Sequence, residues 1–314
     1  TSISSPADVM PGQSALMTFL FGPPPPPMPI AKPYGLALKN GKLYISDTFN
    51  GTIHIADLRQ KTWDYFHPKG AGKLRKNIGV FVDNDGTLYV SDTQRGQVVI
   101  FDAAGKYTGE LGHPGELKPT AIEIADNRLY IADMKSQHVL IYDKSSHAML
   151  ESIPKPGVTN ESERLFQPVG LARDQEGRLY VSDIGAFRIQ VYNADGSYLR
   201  TIGRHGDSPG EFVRNKGIAL DREHRLYSVD AGFQILQLFD AQDRILMYFG
   251  EPDEAEGQMF LPADVIVDYD NVDLFRKYAA PGYGLEFIVL VSNQYGDRKI
   301  NVYGFLRHED AKTP

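Results

Sequence analysis

The chain has 314 residues, with 33 Lys plus Arg against 40 Asp plus Glu and a formal charge of −7. That balance disfavours a general nucleic-acid binder, which would be basic. The absence of cysteine excludes disulfide scaffolds, thiol nucleophiles and thiolate metal sites. Its 30 Gly and 20 Pro exceed the usual ~7% and ~5%, so the chain turns often, and 17 Tyr with 16 Phe argue against disorder.

From the N-terminus, residues 9–31 are uncharged, but Pro11, Gly22 and the Pro23–Pro27 run interrupt them. The apolar stretch Ala15–Phe21 is far shorter than the ~20 residues that cross a bilayer. No basic segment precedes it, so it does not read as an intact signal peptide. With Thr1 as a non-native start and no cysteine, an exported bacterial protein is the expected setting.

From residue 33 onward one unit recurs. A Leu-Tyr-Val-Ser-Asp phrase appears at 43–47, 88–92, 129–133, 179–183 and 226–230, with a weaker copy at Val289–Asn293. A preceding element is centred on Gly35, Gly79, Ala121, Gly170, Gly217 and Asp264, at intervals of 44, 42, 49, 47 and 47 residues. A third element ends at Asp57, Asp102, Asp143, Asn193 and Asp240, each ten residues after the aspartate that closes the phrase. That spacing fits a tight turn and one strand of about five or six residues. A fourth run follows each time, such as Tyr198–Gly203.

Each unit therefore reads as four short antiparallel strands, a to d, and a period near 46 is that of a propeller blade. The expected fold is all-β: a six-bladed β-propeller of four-stranded antiparallel blades. The blades fall roughly at 33–66, 77–112, 119–153, 168–203, 215–250 and 262–305. The sixth unit lacks a fourth strand, and residues 15–22 match that strand, so an N-terminal strand at 15–22 is expected to close the last blade and remove an open edge. Residues 272–280 are the one place where a short helical turn is expected.

The phrases resemble the NHL repeat, a blade motif of six-bladed propellers. Ile202–Phe212, followed by Lys216–Asp221 and Leu226-Tyr227, is the nearest copy, and Pro168–Ala172 with Gly177–Asp183 is almost as close. Ala121, Asp264 and Asn293 depart from the pattern. The resemblance covers about residues 15–305 and implies the fold more than an activity.

The repeated Asp47, Asp92, Asp133, Asp183 and Asp230 could form a calcium-binding ring, or could accept backbone N–H bonds in the b–c turns. Some propellers with NHL-like blades are amidating lyases that hold zinc through histidines. Here His138 lies nearest that phrase but is displaced by one residue, while His67, His113 and His205 fall in d–a loops at one end of the ring. No cofactor is expected from the motifs, with zinc or calcium as the open alternatives. Pro23–Pro27 reads as a polyproline II strut or as a ligand for an aromatic groove. Residues 272–285 read as a cap over the channel exit or as a second contact surface.

The residue before each strand a is Lys32, Lys76, Lys118, Gln167, Arg214 and Leu261. Four of six are basic, and symmetry places all six around one channel mouth, where a single sign of charge concentrates anions. The b–c turns at that end carry Arg95, Arg188, Phe49, Phe187 and Phe233 as contact candidates. The expected function is recognition without catalysis, of a protein or an anionic ligand, at this mouth. The alternatives are a metal-dependent enzyme of amidating-lyase or lactonase type, and single-stranded RNA binding.

Overall fold

Each Leu-Tyr-x-Ser-Asp phrase forms the second strand of a four-stranded antiparallel sheet. A computed structural model describes residues 1–12, 28–251 and 257–308. Blade 1 comprises Pro33–Lys39, Lys42–Asp47, Thr52–Asp57 and Thr62–Phe66. Blade 4, a close repeat of it, comprises Pro168–Arg173, Leu179–Asp183, Arg188–Tyr192 and Tyr198–Ile202. Blades 2, 3 and 5 begin at Asn77–Val82, Pro119–Ala125 and Asn215–Leu220 and follow the same order.

Strand b is buried on both faces, as in Leu88–Asp92 and Leu179–Asp183, whereas strand d is largely exposed, as in Ile245–Phe249. Blades stack on both sides of the inner strands, so a blade has no solvated face there, and its phrase reads as a near-continuous apolar run. The cores accordingly lie between blades. Val98, Ile100 and Leu111 of blade 2 pack with Ile122, Leu129 and Ile131 of blade 3. Ile53 of blade 1 packs with Val80, Val90 and Val99 of blade 2.

Polar bonds reinforce these seams near the axis. Ser46 Oγ donates to the Asn77 carbonyl at 3.0 Å, Ser91 Oγ to the Thr120 carbonyl at 2.8 Å, and Ser292 Oγ to the Tyr34 carbonyl at 2.5 Å. In blade 5 the phrase reads Leu-Tyr-Ser-Val-Asp, which moves the serine by one residue and hence to the opposite face. Ser228 Oγ has no partner among the described residues.

The N-terminus closes the ring. The sixth sheet, Pro262–Asp268, Tyr283–Asn293 and Ile300–His308, is completed by Ser2–Ile3, with Ser2 opposite Asn301 and Ile3 opposite Ile300. Thr1 adds a carbonyl that accepts the Val302 N–H at 2.8 Å. Closure of the last blade by an N-terminal strand therefore holds at Ser2–Ile3, while the expected strand at 15–22 and the Pro23–Pro27 run lie outside the described residues. Two residues carry no alternation to read. What fixes them is Ile3, buried against Ile30, Leu36 and Ile300.

The 272–285 expansion forms two 3-10 turns, Val272–Leu274 and Arg276–Tyr278. Phe275 between them is buried in the core shared by blades 6 and 1, and Asp273 pairs with Arg59 of blade 1 at 2.8 Å. The segment thus covers the closing seam, leaving Tyr278 and Tyr283 exposed. Among the described residues no helix is long and apolar enough to cross a membrane.

Candidate binding site at the channel mouth

The aspartate that ends strand b builds the mouth. Asp47 accepts the N–H groups of Ala31, Lys32 and Phe49, and Asp92 those of Arg75, Lys76, Gln94 and Arg95. Asp133 does the same for Lys118, Lys135 and Ser136, and Asp183 for Phe166 and Gln167. Asp230 accepts from Val213, Arg214, Gly232 and Phe233. One carboxylate thus fixes the b–c turn and also the residue that enters strand a. These aspartates are buried turn caps, and their oxygens are occupied by backbone donors. In blade 6 Asn293 can offer only one acceptor, to Phe260 N–H at 3.2 Å, and Leu261 N–H turns to Gln234 Oε1 at 3.3 Å instead.

The caps hold Lys32, Lys76, Lys118 and Arg214 at equivalent positions of blades 1, 2, 3 and 5. Lys76, Lys118 and Arg214 are exposed, and no side-chain hydrogen bond or ion pair engages any of them among the described residues. Lys32 is half-buried, with Nζ 5.2 Å from the Tyr295 ring centroid. The other predicted contacts divide. Arg95 is consumed inside the fold, donating to the carbonyls of Ala71 and Lys73 and to Gln97. Arg188 donates to the carbonyls of Glu161 and Arg164, pinning the preceding loop. Phe49 is 76% exposed, whereas Phe187 is half-buried with its ring 4.5 Å from that of His205, and Phe233 is half-buried beside Ile235 and Tyr248. Of these three phenylalanines, Phe49 alone is strongly exposed.

His67, His138 and His205 are each engaged within their own blade. His67 Nδ1 lies 3.0 Å from Thr52 Oγ1, His138 Nδ1 lies 2.6 Å from the Ser136 carbonyl, and the His205 ring packs tilted against Phe187. Among the described residues the one group close enough to share a metal is Asp174, Glu176 and His224 at the opposite end of the ring. There Asp174 is already bound by Arg178 Nε at 2.5 Å and by Arg178 N–H.

Inside the mouth, a channel with a cavity of about 360 Å³ runs between the six inner strands. Its titratable groups were not selected from the sequence as site residues. Tyr34 lies at the top with Lys216 Nζ 5.1 Å from its ring centroid. Asp264 stands where other blades have glycine or alanine and accepts Leu36 N–H at 2.9 Å across the closing seam. Burial pushes its carboxyl up to about 6, against the two backbone donors. Burial also raises the Tyr34 hydroxyl, with Asp264 adding to it and Arg214 opposing. Glu123 sits deep in the ring among Ala37, Phe81, Ala172, Ala219 and Ile266. Desolvation pushes it up to about 7, with the Ile124 N–H and Arg173 opposing. The signal that could have found Asp264 and Glu123 was their polarity at strand-a positions that are small or apolar in most other blades.

Because the folded-state value of Glu123 lies above its ordinary 4.5, its contribution to stability is full below about pH 4.5 and is lost as pH rises through about 7. Glu123→Gln should match the parent at pH 4 and exceed it at pH 8 by on the order of 1–2 kcal/mol, after allowance for solvent reaching a half-buried group. Thermal melts at both pH values check this, and equal melting at pH 8 would refute it.

A sequence family described as a 6-bladed beta-propeller matches residues 156–248. No curated protein matches the chain. Among solved structures, a protein of unknown function from Bacteroides thetaiotaomicron superposes with a TM-score of 0.66 at 16% identity, over 98% of this chain and 75% of that one. A catalytically inactive virginiamycin B lyase from Staphylococcus aureus with quinupristin gives 0.60 at 13% identity, over 89% and 84%. A calcium-binding protein, regucalcin, from Agrobacterium tumefaciens gives 0.57 at 12% identity, over 84% and 83%. The fold is shared. At these identities the likeness extends no further.

Proposed function

We propose that this propeller is a non-catalytic recognition module whose channel mouth binds the anionic group of a partner protein or small ligand. One observation carries this reading. Lys76, Lys118 and Arg214 stand at equivalent positions around the mouth, and among the described residues no carboxylate pairs with any of them. Exposed cations left unpaired around a concave opening raise the local concentration of anions and keep their charge for a ligand. The exposed Phe49 at the rim adds an apolar contact of the kind that anchors interfaces.

Reversing three charges tests it. Each cation near a bound anion contributes on the order of 1 kcal/mol at a partly solvated site. The combined Lys76→Glu, Lys118→Glu, Arg214→Glu variant should therefore bind sulfate and an acidic peptide at least ~100-fold more weakly. Binding should also weaken with salt in the parent and lose most of that dependence in the variant. Calorimetric titration reads both. Unchanged affinity in a folded variant would place any anion site elsewhere.

A further inference from the structure

Lys216 is the only buried Lys or Arg among the described residues, 5% exposed, on the second residue of the inner strand of blade 5. Its ammonium position lies over the Tyr34 ring, and no carboxylate stands within ion-pair distance of it among the described residues. The charged and aromatic groups that act on it come from several blades. Tyr34 and Lys32 come from blade 1, Arg214 from the residue before the Lys216 strand, and Asp230 from the adjoining strand. Asp264, from the inner strand of blade 6, faces Tyr34. A desolvated amine thus lies over one aromatic ring and feels the charges of two cations, opposed by Asp230, whose carboxylate is already committed to backbone donors.

We propose that Lys216 is the inner contact of an oxyanion site formed with Lys32 and Arg214, and that it takes up a proton when a carboxylate or sulfate-like group enters. The inference rests on the mouth being an anion site and adds the chemistry of the contact. Burial, with Arg214 and Lys32 beside it and Asp230 opposing, pulls the Lys216 ammonium down to about 7. Near neutral pH a large fraction of molecules therefore carries a neutral amine. An anion lodged between three basic groups favours the charged form. The proton comes from solvent, the amine becomes an ammonium, and no covalent bond to the ligand forms. By linkage, whatever anion raises the proton affinity of Lys216 is itself bound more tightly at lower pH. The affinity should fall by up to about tenfold per pH unit above 7.

Calorimetric titration of the whole chain at pH 8, in two buffers of different ionisation enthalpy, reads the proton directly. The probes are sulfate, standing for a phosphate-type dianion, and propionate, standing for a carboxylate. Neither titrates near this pH, and the tighter of the two identifies the ligand source. The expected result is uptake approaching one proton per bound anion at pH 8, falling towards zero at pH 6. Lys216→Met should abolish the uptake and weaken binding. Should that variant fail to fold, the pH dependence of proton uptake in the parent decides by itself. Binding without buffer-dependent enthalpy would overturn the role of Lys216 and leave the mouth intact as an anion site. Binding of neither probe would overturn both.

Discussion

Asp230→Ala should lower stability by about 3–5 kcal/mol, through backbone donors left unpaired beneath the mouth. Asp230 is fully buried and its two oxygens accept four N–H groups, from Val213, Arg214, Gly232 and Phe233, at 2.7–3.2 Å. Alanine removes every acceptor at once, and a buried donor without a partner is costlier than the net worth of the bond it lost. Asp230→Asn keeps one acceptor but turns an amide towards donors, so its loss should be intermediate. Denaturant melts rank the three proteins. A cost under about 1 kcal/mol for alanine would show that water replaces the cap. Because the same carboxylate holds the backbone of Arg214 and Phe233, anion binding should weaken in Asp230→Asn even where the chain remains folded.

Gly170→Ala should be nearly as damaging, for a steric reason. A Cβ at this position would lie 2.5 Å from the backbone carbonyl oxygen of Lys216 in the next blade. No side chain can swing aside there, so blades 4 and 5 must separate along the axis. The same approach recurs at Gly79, where a Cβ would lie 2.4 Å from the Thr120 carbonyl oxygen. Overpacking of this kind costs about 1–3 kcal/mol and more where backbone must shift. The variant should melt earlier, and its anion affinity should change as well, because the displaced residue is Lys216. By contrast, Gly109, with open space around it, should accept alanine within about 0.5 kcal/mol. Equal melting of Gly170→Ala and the parent would mean that the ring relaxes without cost.

The repeat was legible because a blade cannot bury its own faces. Six copies of one pattern must then recur at nearly one spacing, and Leu-Tyr-x-Ser-Asp recurs for that reason. The turn-capping role of Asp47, Asp92, Asp133, Asp183 and Asp230 was also readable, since an aspartate at the end of every second strand serves the turn that every blade shares. So was the bias towards Lys and Arg ahead of strand a. Two-residue closure by Ser2–Ile3 was not readable. Its hydrogen bonds run to residues 300–302, and no local pattern records a partner about 300 positions away. Arg95 and Arg188 looked like free contacts because the carbonyls that absorb them lie in the preceding loops.

The sequence by itself determined the architecture, the number of blades and the end of the ring at which basic residues gather, because periodic burial and turn chemistry are local and repeat with the chain. The tertiary structure alone decided which of those cations stay unpaired and which groups meet in the channel. Lys216, Tyr34 and Asp264 come from blades 5, 1 and 6, and their shared environment arises only when the last blade closes against the first. Charge, desolvation and proton affinity there are properties of that junction, and no single repeat contains it.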